Sequence, residues 1–261
     1  MTPPLEIVTI VLNGMPFLPI QYETFKKYPG KLGWNIAHGA AENSGSTAWC
    51  KSQSAGLSGD GTTELLRKWS HHEPWITIRE QPLWDGGKDH MFRASVEVIK
   101  KPCIILQVDV DEFWTVEQLV NIAKMFSDFP GRTHAMFWCR YYFGPRIIMT
   151  TRNCYANNPG QDWKRAWCAT DNMYFKSHEP PGFTNERRAI THAETEARGL
   201  VFDHAGYMYR HQVEYKERFY GYKNAVEQWE RLQANTIWPV RLNKFLAWVP
   251  PNDTATVDLI R

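Results

Sequence analysis

Two features are missing from this sequence: a strong excess of one charge and a long apolar run. The 30 Lys and Arg residues nearly balance the 28 Asp and Glu residues, for a formal net charge of +2. This balance does not favour nucleic acid or an anionic membrane as the main partner. No stretch approaches the ~20 apolar residues of a membrane span, and the first residues lack the basic segment and apolar run of a signal peptide. We therefore expect a soluble, cytoplasmic protein that does not span a membrane.

Cysteine is also scarce. The five cysteines are odd in number, widely spaced, and form no C-x-x-C pair. This pattern argues against a disulfide framework or a structural zinc site and favours a reduced compartment. The cysteines are Cys50, Cys103, Cys139, Cys154 and Cys168.

Aromatic residues, in contrast, are abundant. They make up 14% of the 261 residues and include 12 Trp. Aromatic faces stack on rings such as sugars and bases, so the excess hints at a ring-shaped ligand, although any single Trp more often packs in a core. The length fits one large α/β domain or two small ones.

Strand and helix patterns alternate along the first half of the chain. Apolar runs predict strands over 7–12, 33–42, 75–79 and 104–110, and helices are predicted over 19–27, 63–70 and 89–100. This alternation predicts a mostly parallel sheet flanked by helices. The polar, Gly- and Ser-rich segment 43–61 is long for a loop within a domain, and such loops are usually functional or disordered.

The second half has a different texture. Thr115 and Gln118 form a capping-box pattern that begins a helix ending near Asp128. Strands are predicted over 135–143 and 147–151, and one helix over 215–234. Segment 152–200 shows little periodicity, so we expect this half to be rich in loops.

The stretch 104–114 organises the rest of the chain. An apolar strand runs into Asp109, Asp111 and Glu112, and a buried strand cannot hold three unpaired carboxylates in its interior. They are therefore expected where the strand emerges, at the edge where α/β sheets bind ligands. Alternation puts Asp109 and Asp111 on the same side of the chain, where both can face one hard cation. The alternative is an acidic turn in which Asp111 or Glu112 caps the next helix.

Five segments together carry a resemblance to a known family. In order and spacing the chain resembles nucleotide-sugar-dependent glycosyltransferases of the GT-A fold, in particular family-2-like members with a D-x-D motif. The resemblance implies a single domain over 1–261, with a nucleotide-sugar-binding half (1–114) and a loop-rich acceptor half (115–261). Its carriers are Asn13 to Phe17, Gly56 to Thr62, Gln107 to Trp114, Ser177 to Pro181, and Phe202 to Tyr207 followed by Lys216 and Tyr220.

The same resemblance implies a metal and its ligands. Asp111 would hold Mn²⁺ or Mg²⁺, and Asp109 would bridge to the metal or to the ribose of the donor. A divalent cation can neutralise charge that develops on a leaving diphosphate. GT-A enzymes often add a late His ligand, and His204 matches best, with His211 in reserve. Alternatively, His204 is hydrogen-bonded in a polar turn.

Further roles follow from position within the family pattern. Donor binding is implied for Asn13 beside the nucleoside, Glu42 on the base, and Lys88 and Arg93 on the diphosphate or sugar. Asp60, in a Gly-flanked loop, is another donor candidate. Each has an ordinary alternative: Glu42, Lys88 and Arg93 as solvated charges, and Asp60 as the cap of the next helix.

The acceptor side needs a base and a binding surface. Glu179, held beside two prolines, is our candidate for the carboxylate that deprotonates the acceptor hydroxyl in an inverting reaction. Asp162 and Asp171 are alternatives, and the acidic pair common in inverting family-2 enzymes is missing. His178 is placed with the acceptor. Trp163, Trp167 and Trp114 are candidate stacking platforms, with core packing expected for at least two of them.

We expect a UDP- or GDP-sugar donor and a glycan or glycoconjugate acceptor. Two other functions stay open. A sugar-nucleotide pyrophosphorylase usually carries a basic loop after its first strand, whereas this strand ends in Asn13-Gly14-Met15-Pro16. A non-catalytic carbohydrate-binding protein would not need strand-end carboxylates together with a late His.

Overall fold

The computed structural model describes residues 3–51, 53–150, 164–247, 249 and 251–257. The strands are β1 (Leu5–Val11), β2 (Leu32–Ala41), β3 (Ile76–Trp84), β4 (Cys103–Gln107), β5 (Glu112–Phe113), β6 (Arg132–Met136), β7 (Cys139–Gly144), β8 (Ile147–Met149), β9 (Lys164–Ala169), β10 (Phe175–His178), β11 (Pro181–Phe183), β12 (Arg188–Ile190), β13 (Phe202–His204), β14 (Val240–Arg241) and β15 (Thr254–Val257). The helices are α1 (Phe17–Phe25), α2 (Thr62–His72), α3 (Gly87–Val96), α4 (Val116–Asp128), α5 (His192–Glu196), α6 (Arg210–Tyr220) and α7 (Ala225–Gln233), with short 3-10 turns at Gly45–Thr47 and Leu242–Lys244.

The main sheet has seven strands within the described residues, in the order β12-β6-β9-β4-β1-β2-β3. β1 to β4 run parallel to one another, whereas β9 lies antiparallel between β4 and β6. α3 packs against β1 and β2, and α2 packs against β3. The predicted α/β fold, with a mostly parallel sheet flanked by helices, is confirmed.

The apolar runs of β1 and β4 become the centre of the core. Ile7, Val8, Ile104, Ile105 and Leu106 are completely buried. Strands covered on both faces need such continuous runs of apolar, often β-branched residues. Because β1 and β4 are neighbours in the sheet, the polar residues after each strand emerge at the same edge.

A second, smaller sheet brings a distant segment to that edge. The residues Asp109 to Glu112 form a turn after β4, called the acidic turn here. β5 begins at the end of this turn and pairs antiparallel with β13, and β13 pairs parallel with β7. In this register His204 lies opposite Glu112. The pairing therefore places the late histidine beside the D-x-D turn, although Glu112 and His204 are 92 positions apart in the sequence.

Several element boundaries differ from the prediction. Segment 152–200 contains β9 to β12 and α5, and β9 is an interior strand of the main sheet. The strand predicted over 135–143 is two strands, β6 and β7. The helix predicted over 215–234 is also two elements, because Gly221 and Asn224 adopt positive φ of 74° and 54° between α6 and α7. The capping box at Thr115 is confirmed.

None of the helices in the described ranges is both long and apolar enough to cross a membrane.

Candidate functional site

The acidic turn after β4 is held in one shape by its own hydrogen bonds. The Glu112 N–H donates to the Asp109 carbonyl (2.9 Å), and the Asp109 N–H donates to Glu112 Oε2 (3.2 Å). Gln21 Nε2, from α1, donates to the carbonyls of Asp109 and Glu112 at 2.9 and 2.8 Å. The turn is therefore fixed before any ligand binds, and Asp111 lies at its tip.

Arg165 of β9 contributes a buried cation to this turn, and sequence reasoning missed it. Its Nε and Nη2 donate to Glu112 Oε1 at 3.0 and 2.7 Å, and Nη2 also donates to Asp109 Oδ2 at 3.0 Å. Glu112 is completely buried and Arg165 nearly so. Burial acts to raise the pKa of Asp109, but the Arg165 guanidinium and the His178 imidazole outweigh it and lower that pKa. Asp109 is thus a stable anion, with Oδ2 accepting from Arg165 and Oδ1 accepting from Gln107 Nε2 at 3.4 Å.

Asp111 is directed toward His204. His204 Nε2 lies 3.6 Å from Asp111 Oδ1, and His204 is almost completely buried. Burial acts to raise the pKa of Asp111, but His204 and then Lys216 outweigh it, so the net direction is down. The neighbouring carboxylate of Asp203 points to Arg140, which donates to it at 2.6 and 3.0 Å.

The donor set at this point suits a hard divalent cation only in part. Among the described residues, no three His, Cys, Asp or Glu side chains are arranged to hold a metal ion. Asp111 and His204 can supply two ligands, and Mg²⁺-type sites commonly use one or two carboxylates and complete their shell with phosphate oxygens and water. The pair therefore fits a metal that arrives with a phosphate-bearing ligand.

A small cavity of about 180 Å³ opens beside the acidic turn. It brings together six of the residues predicted from sequence: Lys88, Asp109, Asp111, His178, Glu179 and His204. Tyr215, Lys216 and Tyr220 of α6 also line it.

Glu179 is paired with a lysine in this cavity. Lys88 Nζ donates to Glu179 Oε1 at 2.9 Å and lies 3.5 Å from the Tyr220 hydroxyl. His178 Nδ1 lies 3.6 Å from the same carboxylate oxygen. Burial acts to raise the pKa of Glu179, but Lys88 and His178 outweigh it and lower the pKa. In this state Glu179 is a weak base, because its charge is already compensated.

A larger cavity of about 800 Å³ adjoins the first. Val110, Asp111, Tyr215 and Lys216 line both cavities, so Asp111 and Lys216 stand at their junction. Lys216 Nζ lies 4.9 Å from the centre of the Tyr207 ring. Burial lowers the pKa of Lys216, although Asp111 acts to raise it.

No protein-family model and no curated protein matches this chain. Solved structures that align with part of it include TarS from S. aureus, at 12% identity over 53% of this chain and 36% of that one, with a TM-score of 0.40. A mannosyltransferase, PcManGT from Pyrobaculum calidifontis in complex with GDP-Man and Mn²⁺, aligns at 20% identity over 55% of this chain and 37% of that one, also with a TM-score of 0.40.

A third structure covers more of the chain at lower similarity. It is 4-diphosphocytidyl-2C-methyl-D-erythritol synthase from Anaerococcus prevotii, at 7% identity over 94% of this chain and 83% of that one, with a TM-score of 0.34. The aligned part spans little more than a third of TarS and PcManGT. At these TM-scores none of the three similarities decides a function.

Asn13 and Asp60 form hydrogen bonds that connect the loop before α2, which lines the larger cavity, to the end of β1. Asn13, at φ 57°, donates its N–H to Ser58 Oγ (2.7 Å) and accepts from the Gly59 N–H (3.1 Å). Asp60 accepts from the Met15 N–H at 2.9 Å and from the N–H of Thr62, the first residue of α2, at 3.1 Å. Both residues line the cavity, and both have a structural role in joining the loop to the end of β1. His211, the reserve candidate for the metal, lines the larger cavity, whereas His204 lines the smaller one.

Two described residues with a predicted donor role, Glu42 and Arg93, line neither cavity. Arg93 is exposed on α3, and its guanidinium lies 6.0 Å from the centre of the Phe175 ring. Glu42 follows β2, with its N–H bonded to the Trp84 carbonyl. Asp171 lies exposed in the turn after β9.

Two of the tryptophans chosen as stacking platforms, Trp114 and Trp167, lie within the described residues, and they line neither cavity. Trp167 is completely buried in the core and donates to Glu186 at 2.8 Å, so the acceptor role predicted for it is wrong: it offers no face to an acceptor. Trp114 is buried as well and stacks on Phe202. Core packing, expected for at least two of the three tryptophans, is confirmed for Trp114 and Trp167. Trp163 and the alternative base Asp162 lie outside the described residues.

Proposed function

We propose that the protein is a metal-dependent glycosyltransferase that moves a sugar from a nucleoside diphosphate sugar to a hydroxyl of a glycan or glycoconjugate, with inversion. One observation carries this proposal: Asp111, with His204 at 3.6 Å, stands where a cavity of about 800 Å³ meets one of about 180 Å³. A nucleotide sugar has the same division, because its diphosphate joins a large nucleoside to a small sugar.

The larger cavity would take the nucleoside and the smaller one the sugar. A UDP- or GDP-sugar would then place its diphosphate at the junction, beside Asp111 and Lys216. Lys216 is a half-buried lysine there and suits contact with phosphate oxygens. Nucleotide binding would fall mainly to residues 1–114, and residues 115–261 would supply His204, Lys216 and the acceptor side.

Asp111 and His204 would hold Mn²⁺ or Mg²⁺, which when bound would offset the negative charge that develops on the diphosphate. Asp109 has a different position, because Arg165 occupies one of its oxygens. The other oxygen, Oδ1, lies 3.9 Å from His178 Nε2 in the small cavity. In this proposal it accepts a hydrogen bond from a hydroxyl of the donor.

Glu179 is the base in this proposal. It would take the proton of the acceptor hydroxyl while that oxygen forms a bond to the anomeric carbon. The bond between that carbon and the phosphate oxygen breaks, and the diphosphate leaves with the electron pair. Because Lys88 lowers the basicity of Glu179 in the present structure, the base gains strength when Lys88 turns toward an incoming phosphate or sugar.

A thermal-shift panel tests the donor site. UDP, GDP, CDP and dTDP are each added with Mn²⁺, Mg²⁺ or EDTA, and one of them is expected to stabilise the protein only with metal. A ligand at a hundredfold excess over its dissociation constant contributes about 2.7 kcal/mol. Asp111→Ala should lose the metal-dependent part, whereas Asp171→Ala, an exposed carboxylate, should keep it.

Other outcomes point elsewhere. A shift that survives EDTA would remove the metal from the proposal and keep nucleotide binding. No shift with any nucleotide would contradict the donor site and favour the carbohydrate-binding alternative, whereas turnover of a nucleoside triphosphate with a sugar phosphate would indicate a pyrophosphorylase.

A further inference from the structure

Trp49 is an ordered tryptophan with a solvent-exposed surface. It follows the 3-10 turn Gly45–Thr47 in the segment after β2, and it is 64% exposed. Its Nε1–H donates to the Ser46 carbonyl at 3.2 Å. Its ring stacks on Tyr220, with 5.4 Å between ring centres and an interplanar angle of 23°. The indole is thus held by one face and one edge while much of the ring remains in water.

One carboxylate connects the turn before Trp49 to the strand before Glu179. Asp89 of α3 accepts from the Ser46 N–H and from Ser46 Oγ, both at 2.8 Å, and also from the His178 N–H at 2.7 Å. Gly45, at φ 59°, lets the turn approach closely, since a Cβ there would lie 2.7 Å from Asp89 Oδ2. Trp49 and Glu179 are therefore positioned relative to each other through Asp89.

Tyr220 provides a second connection. It lines the small cavity, and its hydroxyl lies 3.5 Å from Lys88 Nζ, which is itself 2.9 Å from Glu179. The Lys51 N–H donates to the Phe219 carbonyl at 3.0 Å and ties the segment to α6. Trp49 consequently lies one stacked ring beyond the wall of the cavity that contains Glu179.

We propose that Trp49 binds a pyranose ring of the glycan acceptor. An exposed indole offers a flat apolar surface, and the C–H face of a pyranose can pack on it while the sugar hydroxyls stay hydrated. Its connection to Glu179 through Tyr220 and Lys88 assigns it to the acceptor, because the acceptor hydroxyl must reach the base. That last step rests on the proposed function, whereas glycan binding by Trp49 can be measured without it.

Saturation-transfer NMR with methyl β-D-glucopyranoside, methyl β-D-galactopyranoside and methyl α-D-mannopyranoside tests the proposal on the full chain. The wild type is expected to bind at least one glycoside through its C–H protons. Trp49→Ala should weaken that binding about tenfold, in line with the loss of a stacking contact. Trp49→Tyr should restore most of it. Tyr174→Ala is the matched control, since Tyr174 is an aromatic residue of nearly equal exposure (65%) that contacts Lys101 and Thr184 rather than the residues around Glu179.

Two results would overturn the proposal: equal binding by the wild type and Trp49→Ala, or no binding of any of the three glycosides. The nucleotide thermal shift, measured on the same samples, reports on the donor site separately. A glycoside that binds through Trp49 without any nucleotide shift would support the sugar platform and contradict the transferase.

Discussion

Arg165 compensates two carboxylates, and its burial makes the arrangement costly to disturb. Glu112 is completely buried, and its carboxylate accepts from both Nε and Nη2 of Arg165. A buried ion pair contributes little net stability, yet removing one member leaves the other charge without compensation. The same guanidinium also orients Asp109, so one residue of β9 determines the shape of the acidic turn.

Arg165→Met should therefore lower the free energy of unfolding by about 3–5 kcal/mol. Burial already raises the pKa of Glu112 well above its usual range, and Arg165 opposes that rise. Adding Glu112→Gln should therefore recover part of the loss, because the amide needs neither the cation nor a proton. Arg198→Met is the control: it breaks an exposed pair with Asp128 and should cost at most about 1 kcal/mol. Urea denaturation measures all four proteins. Equal losses for Arg165→Met and Arg198→Met would contradict the role given to Arg165.

Glu179 and Lys88 are coupled through the 2.9 Å contact between them. The pKa of Glu179 is lowered from 4.5, since Lys88 and His178 together outweigh the opposing effect of burial. A carboxyl group whose folded-state pKa is depressed stabilises the fold above its unfolded pKa, and the contribution is lost as the pH falls through the folded value.

Lys88→Met should raise the pKa of Glu179 above 4.5, because burial then acts with less opposition. Carboxyl ¹³C NMR of Glu-labelled protein measures this directly. In denaturation the variant should be less stable than the wild type at pH 7, and the difference should disappear as the pH falls through the wild-type pKa of Glu179. An unchanged pKa of Glu179 in Lys88→Met would contradict the coupling.

Glu179→Gln should bind donor normally and transfer sugar at a severely reduced rate.

At the scale of elements, the end of α6 depends on the backbone conformation of Gly221. Gly221 caps α6 in the left-handed region, at φ 74°. α6 carries Tyr215, Lys216 and Tyr220 toward the cavities, so the position of its last turn matters for the site. A residue with a Cβ is strained at such φ values.

Gly221→Ala should destabilise the protein by about 1 kcal/mol, since the added methyl group disfavours the left-handed conformation. Gly182→Ala is the control, because Gly182 has no positive φ and an added Cβ would be 3.5 Å from Glu186 Oε1, an ordinary contact. Thermal unfolding of both variants measures the difference. If the two glycines prove equally replaceable, the conformation of Gly221 is not what ends α6.

The first half of the fold and the start of α4 could be predicted from the sequence, because the information for them is local. The apolar runs of β1 and β4, the polar breaks after them and the capping box at Thr115 are each visible within a few residues. β9 could not be recognised, since it includes a buried arginine whose partners, Asp109 and Glu112, lie more than 50 residues earlier. Trp49 could not be recognised as a binding residue from the sequence either, because its position is set by stacking on Tyr220, which only the tertiary structure brings near.

The site residues show the same limit. Positions directly after a buried strand, such as Asp109 and Asp111, are found at the edge of the sheet by topology alone. Which way a side chain then points depends on its neighbours. Glu42 also follows a strand, yet it lines neither cavity, and its position after a strand does not by itself distinguish it from Asp111.

At the scale of the whole molecule, the core encloses thiols that water reaches only when the chain opens. Cys50 and Cys103 are free and nearly or completely buried. Burial raises the pKa of the Cys50 thiol to about 11 and that of Cys103 to about 12. The reactive form of a cysteine is the thiolate, so both are protected by burial and by protonation.

Iodoacetamide at pH 8 should therefore modify Cys50 and Cys103 of the folded protein only as fast as the protein unfolds. Peptide mass spectrometry after increasing times measures the rates, and the urea-denatured chain, in which both should react quickly, is the control. Rapid modification of Cys50 alone in the folded protein would indicate that the segment bearing Trp49 opens independently of the core.

The antiparallel strand between β4 and β6 has a consequence for biosynthesis. β4 receives β1 as one neighbour early, but its other neighbour is β9, which ends at Ala169. While the ribosome extends the chain from Gln107 to Ala169, one margin of the growing sheet presents N–H and C=O groups with no strand beside them. Such margins pair readily with other chains. We therefore expect the nascent protein to be most prone to association with other chains in this interval, before the strand that carries Arg165 is made.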